Sequence, residues 1–278
     1  MVTRHTTKLN NQGVSEAIGF MLIFGMVITG IGLVTLYGYP LLLQQQVGAD
    51  EKIMEKNMIV LQNDIKSLAY KTVPFKETSL KIGGGSLTVY NSSYSPSSSK
   101  ITILGSGISY VSSFQPGELR YESVSAQTDI SLQNGAVVMR PRIAPGSVML
   151  SEPRWFYDVN TITNTNTMVF NLINITSTNI MAKEGIGTVQ MTLGETNYTY
   201  VPLINPIDIV YTPDPGLNGL DYSVAWDNYI KKTFTNQPGL TFTPNGTPGN
   251  KLPLTYKLTG SNPMTLVIKR YEVQIKNI

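Results

Sequence analysis

Hydrophobic positions fall into three regimes along the chain. From Ala17 to Leu43 no side chain is charged. At ~1.5 Å per residue a helix over this stretch runs roughly 40 Å, longer than the ~30 Å hydrocarbon core of a bilayer. Further on, Met54, Met58, Leu61, Ile65 and Leu68 alternate spacings of four and three, which marks one seam of an amphipathic helix. Asp50, Glu51, Lys52, Glu55, Lys56 and Lys66 fall mainly off that seam. Pro74 should end the helix, with Lys71 suited to its negative terminus. Beyond Pro74 the period changes to two.

Segments such as "SLKIGGGSLTVYN", "SKITILG", "GISYVSSF" and "TDISLQNGAVVMR" alternate apolar and polar residues, or present β-branched runs bounded by Gly and Asn. Gly84–Gly85 and Asn134–Gly135 read as hairpin turns. One interruption, "LDYSVAWDNYIKKTF", carries Val224, Trp226, Tyr229 and Ile230 at roughly helical spacing, with Ser223 as its expected cap. "NSSYSPSSSK" (91–100) reads as a Ser-rich surface loop. The expected fold class is α+β: a long N-terminal transmembrane helix (14–43) continuing into an amphipathic helix (44–72), then an antiparallel β-sandwich-like domain (73–278). The seam has two readings that do not exclude each other, packing on the chain's own β domain and coiling with a second copy.

The apolar stretch is longer than the ~7–15 residues of a cleavable secretory signal, and no Ala-x-Ala site closes it. It therefore reads as a retained single-pass anchor. Arg4 and Lys8 precede it with no acid among residues 1–13, whereas Asp50 and Glu51 follow. The positive-inside tendency then puts the N-terminus in the cytoplasm and the β domain outside. Tyr37 and Tyr39 would lie at the outer interface, and Pro40 predicts a kink or local melt because it lacks an N–H and crowds the carbonyl of Leu36. Gly25, Thr29 and Gly32, at i, i+4 and i+7, form one small-residue face along which another helix can approach.

Composition narrows the chemistry. Net charge is +3 with 14% charged residues and no basic stripe, so nucleic acid is not an expected partner. Cysteine is absent, which removes disulfides, thiolate nucleophiles and Cys-based metal sites. The only histidine, His5, precedes the anchor, so no Ser-His-acid, Cys-His or His-metal site is expected in the outer domain. Carboxylate pairs remain arithmetically available in Glu118 with Glu122 and Asp221 with Asp227. Asp214, Asn218 and Asp221 in "DPGLNGLD" could hold calcium through oxygen ligands, but their spacing fits turn geometry better. Neither an enzyme nor a cofactor or metal is expected. "PRWFYD" (153–158) is either an adhesive, glycan-stacking patch or a strand with a buried Trp155. Four Asn-x-Ser/Thr sequons, at Asn91, Asn174, Asn197 and Asn245, become candidate glycosylation sites if the domain faces outward. Asn91 and Asn245 are expected on exposed loops, Asn174 and Asn197 on strands.

The stretch "QGVSEAIGFMLIFGMVITGIGLVTLYG" resembles the N-terminus of archaeal type IV pilin-like proteins, which read roughly Gly-Val-Ser-Glu/Pro-x-Ile-Gly before an apolar helix. The resemblance covers about residues 8–46. It implies a basic leader (1–13) cut by a prepilin peptidase between Gly13 and Val14, and a helix that stays on the mature subunit and packs into a filament core. It also implies that Glu16 neutralises the new α-amino group of an adjacent subunit, since a desolvated charge needs a partner. The expected role is a structural subunit of a cell-surface filament; the rival is a single-pass anchored binding or adhesion module that never polymerises.

Overall fold

The protein is described by a computed structural model covering residues 11–71 (side chains from Glu16), 73–92, 99–160, 165–214 and 220–278. It divides into two compact units, Met1–Ala49 and Asp50–Ile278.

In the first unit, α1 (Asn11–Leu33) passes through a π-helical turn (Val34–Gly38) into α2 (Tyr39–Lys71). The turn answers Pro40. Its missing N–H would leave the ladder one donor short, and the backbone instead widens so that the Tyr39 N–H bonds Val34 O, five residues back. The local melt expected at Pro40 is thus corrected: the helix stays hydrogen-bonded by changing its period. Between Ile18 and Leu43 every large apolar side chain is exposed. The two threonine hydroxyls are satisfied within the helix, Thr29 Oγ1 donating to Gly25 O and Thr35 Oγ1 to Ile31 O, both at 2.8 Å. A helix with this surface is long and apolar enough to cross a membrane.

The second unit begins with the remainder of α2 and is otherwise a mostly antiparallel β domain. Its strands are β1 (Phe75–Tyr90), β2 (Lys100–Gly105), β3 (Ile108–Phe114), β4 (Glu118–Ser123), β5 (Thr128–Gln133), β6 (Ala136–Pro141) and β7 (Val148–Ser151). These are followed by β8 (Trp155–Asn160), β9 (Thr165–Ser177), β10 (Met181–Ile204), β11 (Ile207–Thr212), helix α3 (Ser223–Phe234), β12 (Leu240–Asn245), β13 (Leu254–Gly260) and β14 (Met264–Asn277). A nine-stranded sheet runs β7-β6-β5-β4-β1-β10-β14-β9-β8, and a five-stranded sheet runs β12-β13-β11-β2-β3. One pair departs from the antiparallel rule. β14 lies parallel to β9, from Met264 opposite Asn166 to Ile275 opposite Ser177.

Two cores use opposite faces of the long strands. On β9 and β14, Met168, Phe170, Leu172, Met264, Leu266 and Ile268 join Ile103, Ile209 and Leu258 of the smaller sheet and Trp226 of α3 in one cluster. Ile173, Ile175, Val273 and Ile275, of the other parity, join the α2 seam in the second. All five seam residues, Met54, Met58, Leu61, Ile65 and Leu68, are fully buried there. The seam thus packs on the chain's own β domain. Each such side chain contributes roughly 1.5–3 kcal/mol of gross burial. Within the seam Gln62 is also buried, and its amide is used up: Nε2 donates to Gly135 O (2.6 Å) and Glu152 O (3.1 Å), while Ser151 Oγ donates to Oε1 (2.5 Å).

The turn expectations divide. Asn134 and Gly135, at φ 47° and 68°, link β5 to β6 as a tight hairpin, and Asn134 Oδ1 also accepts the Ile173 N–H at 2.8 Å. Gly84–Gly85 makes no hairpin. It lies inside β1, where the register with β10 shifts between Ile82 and Leu87. A Cβ on Gly85 would collide with the Glu122 carbonyl oxygen of β4, so close pairing is what demands glycine here. The short helix is present, but Ser223 is not its cap; Ser223 begins α3 and donates its N–H to Asp221 Oδ1 at 2.8 Å. Residues 93–98 of the Ser-rich stretch lie outside the described residues.

Candidate functional site: the apolar helix and the surface of the β domain

Of the assembly residues, Gly25 and Thr29 line a shallow groove on the helix with Met21, Leu22, Met26, Gly30 and Leu33. Gly32 is not part of it. A Cβ at Gly25 or Gly32 would meet nothing within 4 Å, so within the chain neither glycine is required by packing. Glu16 is exposed and makes no hydrogen bond or ion pair among the described residues. Gly13 and Val14 fall in α1 by backbone, but their side chains lie outside the described residues, as do Arg4, His5 and Lys8 entirely.

The sequons fare unequally. Asn245 closes β12 and is exposed, and Asn197 is exposed on β10. Asn174 is half-buried in the middle of β9. Asn91 corrects the expectation of an exposed loop. It is buried just past β1, and its Nδ2, the atom a glycan would use, donates to Ser177 O at 2.6 Å.

The carboxylate pairs are tied into structural networks. Glu118 and Glu122 both bond Arg120, which lies between them on β4. Ser131 donates to Glu118, and Arg142 bonds Asp129 at 2.5 Å. Burial alone would push the Arg120 guanidinium down, but Glu118, Tyr222 and Tyr90 around it together outweigh this and hold it above its ordinary value. Asp227 accepts from Tyr256 OH (3.0 Å) and Lys231 Nζ (2.8 Å), and Asp221 is occupied with the Ser223 N–H. A general acid or base needs a reachable proton and a substrate to hand. These carboxylates instead satisfy neighbouring donors. Asp214 and Asp221 are buried, while Asn218, the third candidate calcium ligand, lies outside the described residues.

Trp155 of "PRWFYD" is a core residue. Its Nε1 donates to Asn171 O (3.0 Å), and its ring sits 5.5 Å from that of Trp226. Phe156, on the opposite face of β8, is 39% exposed. It borders an open cleft of about 280 Å³ that also takes Tyr70 from α2, Arg154, Asn171 from β9, and Lys269 and Tyr271 from β14. No spacing in the sequence announces this cleft, because its walls come from four separate segments.

These observations define a protein with a membrane-length apolar helix followed by a mostly antiparallel β domain. The chain belongs to a family of unknown function (DUF7289), which matches residues 12–203, from the start of α1 almost to the end of β10. No curated protein and no solved structure matches it.

Proposed function

We propose that the protein is a pilin-like structural subunit of an archaeal cell-surface filament, assembled through its N-terminal helix. The observation that carries this reading is the contrast along one helical run. The Met54–Leu68 seam is consumed by the chain's own domain, whereas the apolar side chains from Ile18 to Leu43 are all exposed. Such a surface requires lipid, or sister helices in its place. The Gly25–Thr29 groove offers a sister backbone close approach. Glu16, exposed and without an ion-pair partner among the described residues, would meet the α-amino group of Val14 on a neighbouring copy after a prepilin peptidase cuts behind Gly13. In this reading the N-terminus starts in the cytoplasm, the β domain stands outside as a sandwich-like head, and exposed sequons such as Asn197 and Asn245 carry glycans.

The test is the mature N-terminus, measured by mass spectrometry on protein from native membranes, followed by electron microscopy of the cell surface. A chain beginning at Val14, together with filaments that decorate with antibody to the β domain, is the expected result. Glu16→Ala should sharply reduce filament yield while leaving the protein in the membrane. An intact leader and no filaments would instead make the protein a permanently anchored binding module, a reading favoured by the cleft beside Phe156.

A further inference from the structure

The eight residues lining the Tyr70–Tyr271 cleft include two cations, Arg154 and Lys269, and no carboxylate. Neither cation makes a hydrogen bond or ion pair through its charged group among the described residues, and the hydroxyls of Tyr70 and Tyr271 are likewise unengaged. This differs from the buried cluster around Arg120, where the charges neutralise one another. The cleft is also held in shape. The Tyr70 and Tyr271 rings meet edge to face at 5.5 Å, Arg154 stacks 5.0 Å above the Tyr70 ring, and Asn171 Nδ2 fixes the Arg154 carbonyl at 2.5 Å. Phe156 adds an exposed ring at the rim.

A concave site with aromatic walls and a few convergent polar groups suits a small ring-bearing ligand. The Arg154 guanidinium, without an ion-pair partner among the described residues, presents a planar fork that matches a carboxylate. The weak overall charge gives no field for a long polyanion. We infer that this cleft binds a sugar acid, one pyranose ring bearing a carboxylate. Arg154 takes the carboxylate, Lys269 and the two tyrosine hydroxyls take ring oxygens, and Phe156 covers an apolar ring face. The inference concerns the β domain alone and holds whether or not copies assemble.

The experiment titrates the purified full chain in detergent with D-glucuronate, and in parallel with D-glucose and inorganic phosphate, by saturation-transfer NMR and calorimetry. Saturable glucuronate binding at least tenfold tighter than either control is expected. Arg154→Ala should weaken it about tenfold or more, as loss of a charge-assisted contact does. Arg154→Lys should restore only part, because an ammonium lacks the fork. Lys269→Ala provides a second variant on a separate strand and should weaken binding less. Phosphate binding as tightly as glucuronate would leave a simple anion site, and glucose doing so would leave a neutral-sugar site; either result overturns the inference. So would the absence of saturation, or unchanged affinity in both alanine variants with melting temperatures preserved.

Discussion

Leu61→Ala and Leu42→Ala make the same chemical change in one helix, α2, and should have opposite consequences. Leu61 is fully buried in the seam, whereas Leu42 is 65% exposed. Truncating a buried leucine removes its transfer free energy and leaves a cavity that the surroundings fill only in part, at a cost of about 2–5 kcal/mol. The seam sits between Gln62, pinned to Gly135 and Glu152, and a sheet of fully buried Leu87, Tyr121 and Ile130, so collapse around the void is restricted. That places Leu61→Ala toward the upper half of the range. For a unit the size of Asp50–Ile278, about 2–4 °C of melting temperature is lost per kcal/mol, so the drop should be about 7–20 °C. Near-UV circular dichroism of detergent-solubilised protein follows it, because Trp155 and Trp226 are both buried in the β domain. Leu42→Ala should stay within about 1 °C of the parent. If the two variants melt together, the seam is not part of the domain's core and the division of the helix is wrong.

Alkaline stability should break near the ordinary tyrosine range. Burial pushes the hydroxyls of Tyr211, Tyr222, Tyr229 and Tyr256 above 10. The unfolded chain therefore releases these protons first, so the folded state holds its full stability below about pH 10 and loses it as pH rises. Spectrophotometric titration should show exposed tyrosines ionising ahead of a second group that ionises only with unfolding; one smooth transition would contradict this burial. Gly85→Ala should destabilise the domain by about 1–3 kcal/mol in chemical denaturation, since the new methyl must displace the Glu122 backbone. Glycopeptide mass spectrometry of native protein should find Asn91 bare while Asn197 or Asn245 is modified, because only Asn91 has its amide sequestered. A fully occupied Asn91 would refute that.

Features encoded by local periodicity were legible in the sequence. The seam announced itself at spacings of three and four, and every predicted member is buried. The Asn134–Gly135 hairpin was legible because its backbone geometry needs those two residue types side by side. Gly84–Gly85 carried the same signal for different causes, a positive φ inside the β1 irregularity at Gly84 and the close approach of β4 at Gly85, which sequence alone does not distinguish from a turn. Asn91 looked like the start of a loop, yet the partner that buries it, Ser177, is 86 residues away. The parallel β9–β14 pair and the Tyr70–Tyr271 cleft are non-local in the same sense. Their members share no period, and only the completed sheet brings them together.

The placement of β14 has a consequence for how the protein is made. It follows every other described strand in the sequence yet lies between β10 and β9, so in the strand ladder it joins the run β7-β6-β5-β4-β1-β10 to β9-β8. During synthesis those portions emerge as separate pieces with raw edges, open to stray pairing with neighbouring nascent chains. The apolar helix leaves the ribosome long before β14, so if it enters a bilayer as proposed, insertion precedes closure and β14 completes the sheet on a polypeptide already tethered.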